Sequence, residues 1–412
     1  MVFNRYFNLL LLIFGLTISI SGFSQDTVQV RKVLQILCSP SFAGRGYLKN
    51  GHLKAAAFLE KNFRKAGLKP VNGKFFQQLK FSQNVFPADP VVRVNGRTQI
   101  PGVDFIPNPA SPTIHGKFKL VRLDSSEVVD RGQKGVRNFP SEAWVLNANP
   151  SNRRKLQSEF SPGLWIIQES KLTHSLSKDQ NKTPSLVFRT DQLLSVDTVI
   201  EVHLKAVVRN IKTRNVIGMI TGYEKPDSFL VVCAHYDHLG MLGKKVYFPG
   251  ANDNASGTAF LLEMVHWYTL HPPKFSMVFI AFTGEEAGLI GSSYFVENPL
   301  VALQKIKFVM NLDLLGFGDK GATVVNATIH PQAFDRLKNI NESRKYLPEI
   351  KARGKAANSD HYPFSEAGVP AFFLYTLGGP GHYHDVFDRP ETINLKMFPS
   401  SFGLIRDFLD SF

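Results

Sequence analysis

Five side chains of metal-ligating type follow one another through the C-terminal half of this 412-residue chain: His235, Asp253, Glu286, Asp313 and His384. Each stands at or just past the end of a short apolar run, and strand ends are where an α/β sheet exposes the groups that bind ligands. Mixed imidazole and carboxylate donors suit zinc, with manganese or cobalt as substitutes. A sixth group, Glu285, stands beside a ligand and is free for a different task. The set reads as a two-zinc hydrolase site, with two Zn2+ per chain.

Each motif supports that chemistry separately. In Val231-Val-Cys-Ala-His-Tyr-Asp-His-Leu-Gly240 a buried strand runs into polar residues, so His235 is placed as a neutral imidazole donor. Asp237 can accept from its other ring nitrogen, and His238 reads as a supporting loop histidine. The turn Pro249-Gly-Ala-Asn-Asp-Asn-Ala-Ser-Gly257 presents Asp253, whose two oxygens could bridge two cations; a helix cap alone would need neither flanking asparagine. In Phe279-Ile-Ala-Phe-Thr-Gly-Glu-Glu-Ala-Gly288, two adjacent carboxylates after a buried strand are costly without a cation. Neighbouring residues point differently, so Glu286 is assigned as ligand and Glu285 as general base facing the attacking water. Asp313 in Met310-Asn-Leu-Asp-Leu-Leu-Gly316 is a lone carboxylate at an apolar strand end. The last ligand comes from Gly379-Pro-Gly-His-Tyr-His-Asp-Val-Phe-Asp-Arg-Pro390 and is read as His384, with His382 as the alternative. Ser359-Asp-His-Tyr-Pro-Phe364 supports the pocket, with Asp360 and His361 outside the ligand set.

These groups need elements to position them. Helical spacing of apolar residues predicts helices over 27–37 and 51–66, the second ended by Gly67 and Pro70. From 81 to 210 the texture changes to short β-like runs (90–94, 117–123, 143–146, 164–167, 185–188 and 199–208) between turn-rich stretches. From 211 onward strands at 215–219, 229–234, 276–282, 307–312, 323–326 and 371–375 alternate with helices at 257–270, 289–297, 331–342 and 395–412. The fold class expected is α/β, a three-layer sandwich with a central mixed, mainly parallel sheet. The expected division is a signal peptide over 1–24, an N-terminal helical part over 25–80, an inserted β-rich domain over 81–210 and a zinc hydrolase domain over 211–412. The inserted segment has no cluster of ligand-type residues, which makes it a poor candidate for the chemistry.

Arg5, the apolar run 9–20 and the small residues Gly22 and Ser24 read as an export signal cleaved before Gln25, the alternative being an uncleaved membrane anchor, and the expected location is the periplasm or outside the cell. With only Cys38 and Cys233, the chain is no disulfide scaffold, and Cys233 reads as a buried free thiol. Loss of the leader takes the net charge from +14 to +13, and the Lys and Arg residues are scattered rather than run together, which disfavours nucleic-acid binding. The glycosylation sequons at Asn181, Asn254, Asn326 and Asn341 are discounted, since a sugar on Asn254 would block the cleft.

The linked motifs over 211–394, with Ala43-Gly-Arg-Gly46 and Ala55-Ala-Ala-Phe58, resemble the two-zinc aminopeptidases, among them the secreted bacterial leucyl-type enzymes. That family also holds glutamate carboxypeptidases, glutaminyl cyclases and the catalytically dead transferrin receptors. The resemblance implies one zinc on His235 and Asp313, another on Glu286 and His384, and Asp253 bridging them. It also implies Tyr383 as a hydrogen-bond donor to the tetrahedral intermediate, peptide substrates held by a free α-amine, and an insertion similar to a protease-associated domain. The stretch Asp385-Val-Phe-Asp-Arg-Pro-Glu-Thr392 departs from the family's usual Thr-Pro-x-Asp-Thr-like sequence after the last ligand. A glutaminyl cyclase would use a similar frame with one zinc, with which the stretch 359–364 is compatible, though the five-ligand set favours two metals. A carboxypeptidase would need arginines on the substrate carboxylate, for which Arg353 and Arg389 are the candidates. A non-catalytic relative should have lost ligands or base, and none is lost here.

Overall fold

The computed structural model describes residues 27–122, 137–146, 150–190 and 198–412, so the leader expected at 1–24 lies outside the described residues. Helices α1 (Thr27–Leu37) and α2 (Gly51–Lys65) lead into strand β1 (Phe76–Val85). The chain resumes the main sheet at β2 (Val207–Ile220) and β3 (Lys225–His235), then continues through α3 (Gly257–Leu270), β4 (Phe275–Phe282), α4 (Ile290–Glu297) and β5 (Ile306–Leu312). The remaining elements are β6 (Ala322–Val325), α5 (Pro331–Arg344), β7 (Ile350–Ala352), α6 (His361–Glu366), β8 (Ala371–Thr376) and α7 (Phe398–Asp410).

The apolar runs of β3, β4, β5 and β8 have no polar alternation because both of their faces are covered. They form the middle of a nine-stranded mixed sheet ordered Lys69–Pro70, β2, β4, β3, β5, β8, β6, β7, with β1 paired to β2. Strands β4, β3, β5 and β8 are mutually parallel. On one face α1, α2, α3 and α7 bury residues such as Leu34, Leu59, Phe260 and Phe408 in a single apolar cluster. On the other, Phe295 of α4 and Phe364 of α6 pack over Val231, Ile280 and Val309. The architecture is the three-layer α/β sandwich that the sequence implies.

The order decides where the site can be. The chain passes from β3 to β4 on one side and then returns to β5 on the other. The carboxyl ends of these three strands therefore face one crevice at a switch point, the usual place for ligands in open α/β sheets. His235 is the last residue of β3, Glu285 and Glu286 follow β4, and Asp313 follows β5.

Between β1 and β2 lies a second, eight-stranded sheet, ordered 97–98, 91–94, 199–204, 114–122, 137–146, 160–169, 185–189, 105–107. Its central pairs are parallel, and a helix, Pro150–Glu159, joins two of them. The boundaries expected at 81 and 210 fall inside β1 and β2, which pair over ten positions as a two-stranded arm leading to this sheet. The run 199–208, expected as one strand, divides into Val199–Leu204 in the second sheet and the start of β2 in the arm. Thr113 exchanges hydrogen bonds with the Ala206 backbone at the division. The second sheet's core includes Leu239, Leu242, Phe248 and Val386, residues that flank the ligand motifs. Cys38 and Cys233 are both buried and unbridged. Among the described residues no helix is long and apolar enough to cross a membrane.

Candidate metal centre

The strand ends and two loops bring all five expected ligands together. His235 Nε2 lies 3.4 Å from Asp253 Oδ1, 3.4 Å from Asp313 Oδ1 and 4.0 Å from Glu285 Oε2. His384 Nε2 lies 3.0 Å from Asp253 Oδ2 and 3.1 Å from Glu286 Oε2. Asp253 thus faces one imidazole with each oxygen, the position expected of a bridge. The ligand atoms of His235, Asp253 and Glu286 converge within 4.8 Å of one another, as do those of His235, Glu285 and Asp313. His384 is in the cluster, whereas His382 turns away toward Asp385, 3.6 Å from its carboxylate.

Such a convergence of buried carboxylates and imidazoles fits divalent cations. Asp313 Oδ1 is buried and takes no hydrogen bond, although a carboxylate oxygen out of water needs a partner. Its other oxygen accepts from the Ser359 hydroxyl at 3.0 Å, so Ser359, rather than Asp360 or His361, supports Asp313 directly.

The Asp253 turn is stitched on both sides. The Asn254 amide donates to the Leu312 carbonyl at 2.9 Å, and the Asn252 side-chain oxygen accepts from the Gly316 N–H at 2.9 Å, tying the turn to the end of β5. The buried Asp388 carboxylate accepts the N–H groups of Asn252 and Asp253, tying it to the His384 loop. Asn254 is fully buried, which leaves no room for a sugar.

Each imidazole is oriented through its other nitrogen. His235 Nδ1 donates to the Asp237 backbone carbonyl at 3.2 Å, not to the carboxylate as expected from sequence, which is 3.9 Å away. That carboxylate is engaged elsewhere, accepting from the Tyr47 hydroxyl at 2.7 Å and the Glu285 N–H at 3.3 Å. His238 Nδ1 donates to Glu286 Oε1 at 2.6 Å and so holds the oxygen of that ligand not facing His384. His384 Nδ1 donates to the backbone carbonyl of His174 at 2.9 Å.

The two adjacent glutamates are driven apart. Burial pushes the Glu285 carboxyl well above the ordinary range against the pull of His235, with Glu286, Asp360 and Asp313 reinforcing it. Burial also raises Glu286, but His384 and His238 outweigh it and bring that carboxyl down to about 2. The two environments thus push neighbouring carboxyls in opposite directions, the division expected of a proton-transferring group next to a ligand. Tyr383 stacks on His384, ring centroids 3.9 Å apart, and lines a cavity of about 460 Å³ with Glu285, Leu289, Leu314, Arg353, Phe373 and Tyr375. Arg389, whose Nε donates to the Val386 carbonyl, does not line it.

Sequence reasoning did not single out Tyr47, Asp388 or His174, and it reached Arg45 only through a resemblance. Arg45 is fully buried and donates to the carbonyls of Tyr236, Pro249 and Gly250 at 2.9, 2.6 and 2.7 Å. Its neighbours must be glycine, because a Cβ at Gly46 would lie 2.2 Å from the Gly240 Cα and one at Gly44 would lie 2.5 Å from the Gly240 and Phe248 oxygens.

Two buried histidines outside the ligand set make the fold acid-sensitive. Burial lowers His174 to about 3 and His361 to about 4, so both are neutral when folded. Below pH 6.5 the unfolded chain binds protons that the folded chain refuses, so their stability contribution is complete above that pH and lost as pH falls toward 4. The expected loss is about 1.4 kcal/mol per pH unit for each histidine. Melting curves of the wild type and of His361→Phe between pH 7 and 4.5 should show a shallower acid slope in the variant. An unchanged slope would remove His361 as a cause.

Three comparisons bear on this geometry. Residues 215–409 match the model of Peptidase family M28. In sequence the chain is similar to a probable zinc metalloprotease of Pyrenophora tritici-repentis, 36% identical over 111 residues, 26% of this chain and 23% of that protein. It is also similar to the aminopeptidase YwaD of Bacillus subtilis strain 168, 32% identical over 165 residues, 39% of this chain and 35% of that protein. The matched segments thus span about a quarter to a third of those relatives' length. In structure it resembles BSAP, a zinc aminopeptidase from Bacillus subtilis, with a TM-score of 0.69 at 18% identity over 94% of this chain and 95% of that one, a likeness that shows the fold.

Proposed function

With residues 215–409 matching Peptidase family M28, we propose that the chain is a zinc-dependent exopeptidase, an aminopeptidase that removes N-terminal residues from peptides. The observation that carries the reading is the pair of imidazoles placed on opposite oxygens of Asp253, with Asp313 beside one and Glu286 beside the other. His235 and Asp313 would hold one zinc, Glu286 and His384 a second, with Asp253 shared. Zinc bound there supplies Lewis acidity to a carbonyl oxygen and makes water acidic near neutral pH.

The chain's own groups do the rest. Glu285, in the cavity wall and held by its N–H to Asp237, takes the proton of the attacking water and returns it to the leaving amine. The Tyr383 hydroxyl, on a ring fixed against His384, donates to the oxyanion as it forms. Leu289, Leu314, Phe373 and Tyr375 give the cavity an apolar wall suited to an apolar N-terminal side chain. Among the described residues only one arginine, Arg353, reaches that cavity, too few for the paired recognition of a substrate carboxylate by a glutamate-type carboxypeptidase. The leader read over 1–24 places this activity in the periplasm or outside the cell.

A panel of aminoacyl-nitroanilides, each with a free and an acetylated amine, tests the reading on the mature chain from Gln25. Release should occur with zinc and a free amine, favour apolar residues and stop on chelation. Release that ignores acetylation, or persists after chelation, would contradict it.

A further inference from the structure

The second sheet reads as remote from the chemistry because it contributes no ligand, yet one of its connections touches the last ligand directly. Residues 171–177, between the strands Phe160–Glu169 and Ser185–Arg189, lie across the loop that carries His384. His174 and His384 exchange hydrogen bonds, one between backbones and one from the His384 ring. The His174 N–H donates to the His384 carbonyl at 2.9 Å, and His384 Nδ1 donates to the His174 carbonyl at 2.9 Å. Beside them the Lys171 ammonium donates to the Gly381 carbonyl at 2.8 Å and pairs with the buried Asp385 carboxylate at 3.2 Å.

The segment is itself firmly held. The His174 ring is buried and stacked on Phe248 at 4.8 Å, and Leu172 is packed in the second sheet's core. The Ser177 carbonyl accepts from the Asn84 N–H and the Gln83 amide, joining the segment to β1. A ligating histidine needs an acceptor on its other nitrogen to fix ring orientation and proton position. For His235 that acceptor is local, two residues away on the same strand end. His384 sits at a positive φ of 54° and takes its acceptor 210 residues away, from the second sheet.

We propose that residues 171–177 are the positioning element for His384. On this assignment the His174 carbonyl leaves Nε2 bare toward Asp253 and Glu286, Lys171 pins the loop, and the inserted sheet is part of one half of the metal centre. The assignment rests on the two-zinc reading above. His174 and Lys171 are positioning residues: the first acts through its backbone and the second through its charge and reach.

The test is a titration of the apoprotein with zinc alone, read by calorimetry, with melting temperatures recorded in parallel. Lys171→Met and His174→Pro should weaken one of the two binding steps about 10- to 100-fold and leave the other unchanged. Lys171→Arg and His174→Phe, which keep the charge and the backbone donor respectively, should bind both ions as the wild type does. Should His174→Pro fail to fold, Lys171→Met decides alone. The assignment is overturned if Lys171→Met binds both ions with wild-type constants, or if both steps weaken together with a fall in melting temperature. A wild type that takes up fewer than two ions would overturn the two-zinc reading, and this assignment with it.

Discussion

Replacing Glu285 with Gln should lower kcat by about 10²- to 10⁴-fold while leaving KM and zinc content close to those of the wild type. The substitution keeps the shape of the side chain and the backbone N–H to Asp237, so the end of β4 should not move. It removes a carboxyl that burial, Glu286, Asp360 and Asp313 push upward, so that it holds a proton more readily than an exposed glutamate does. On the energy scale the loss is roughly 3–5 kcal/mol of transition-state stabilisation. The result also separates two arrangements that distance alone permits, since Glu285 Oε2 stands 4.0 Å from His235 Nε2 and converges with Asp313 as a ligand would. A variant that lost one zinc together with its activity would make Glu285 a ligand. A variant within a few-fold of wild-type kcat would exclude it from the chemistry.

Replacing Arg45 with Met is expected to cost about 3–5 kcal/mol, the sum over a few buried carbonyls that lose their donor. The guanidinium is fully buried, and its donors reach carbonyls of Leu37, Tyr236, Pro249, Gly250 and Asp253. Tyr236 adjoins the ligand His235, Pro249 and Gly250 open the turn of Asp253, and Asp253 is itself a ligand, so the same group that closes α1 also sets the spacing of the His235 and Asp253 loops. Left without donors, each buried carbonyl loses about 1–3 kcal/mol of hydrogen bonding. The melting temperature should fall by on the order of 10 °C, with zinc affinity reduced alongside it. Arg45→Lys should fall between the two, as a point charge cannot replace a planar fork of donors. Melting within 2 °C of the wild type, at unchanged zinc affinity, would contradict the role.

Both residues show what could be read from sequence and what could not. The middle strands β3, β4, β5 and β8 were legible because burial on both faces leaves a continuous apolar run, and the ligand motifs are legible because polar residues interrupt such runs. Helix α3 matches its expected span, Gly257–Leu270. Helix α7 begins at Phe398 rather than 395, because Leu395 takes a positive φ of 52° and Pro399 suits only a first turn. Strand β1 was missed: its buried Gln83 and Asn84 spend their amides on loop carbonyls, so the alternation that marks a strand is blurred. Arg45 counts as surface charge in any composition, and only the fold shows it enclosed. His174 had no signal at all, because what it offers is a carbonyl, which every residue carries. Ligands are specified by side-chain type and so are written in the sequence; their backbone partners are specified by topology.

The most direct test of the two-zinc site is anomalous diffraction at the zinc edge from crystals of the zinc-loaded protein. Two peaks per chain are predicted, one against His235 and Asp313, the other against Glu286 and His384, with Asp253 touching both. A single peak, or density away from these five side chains, would contradict the account.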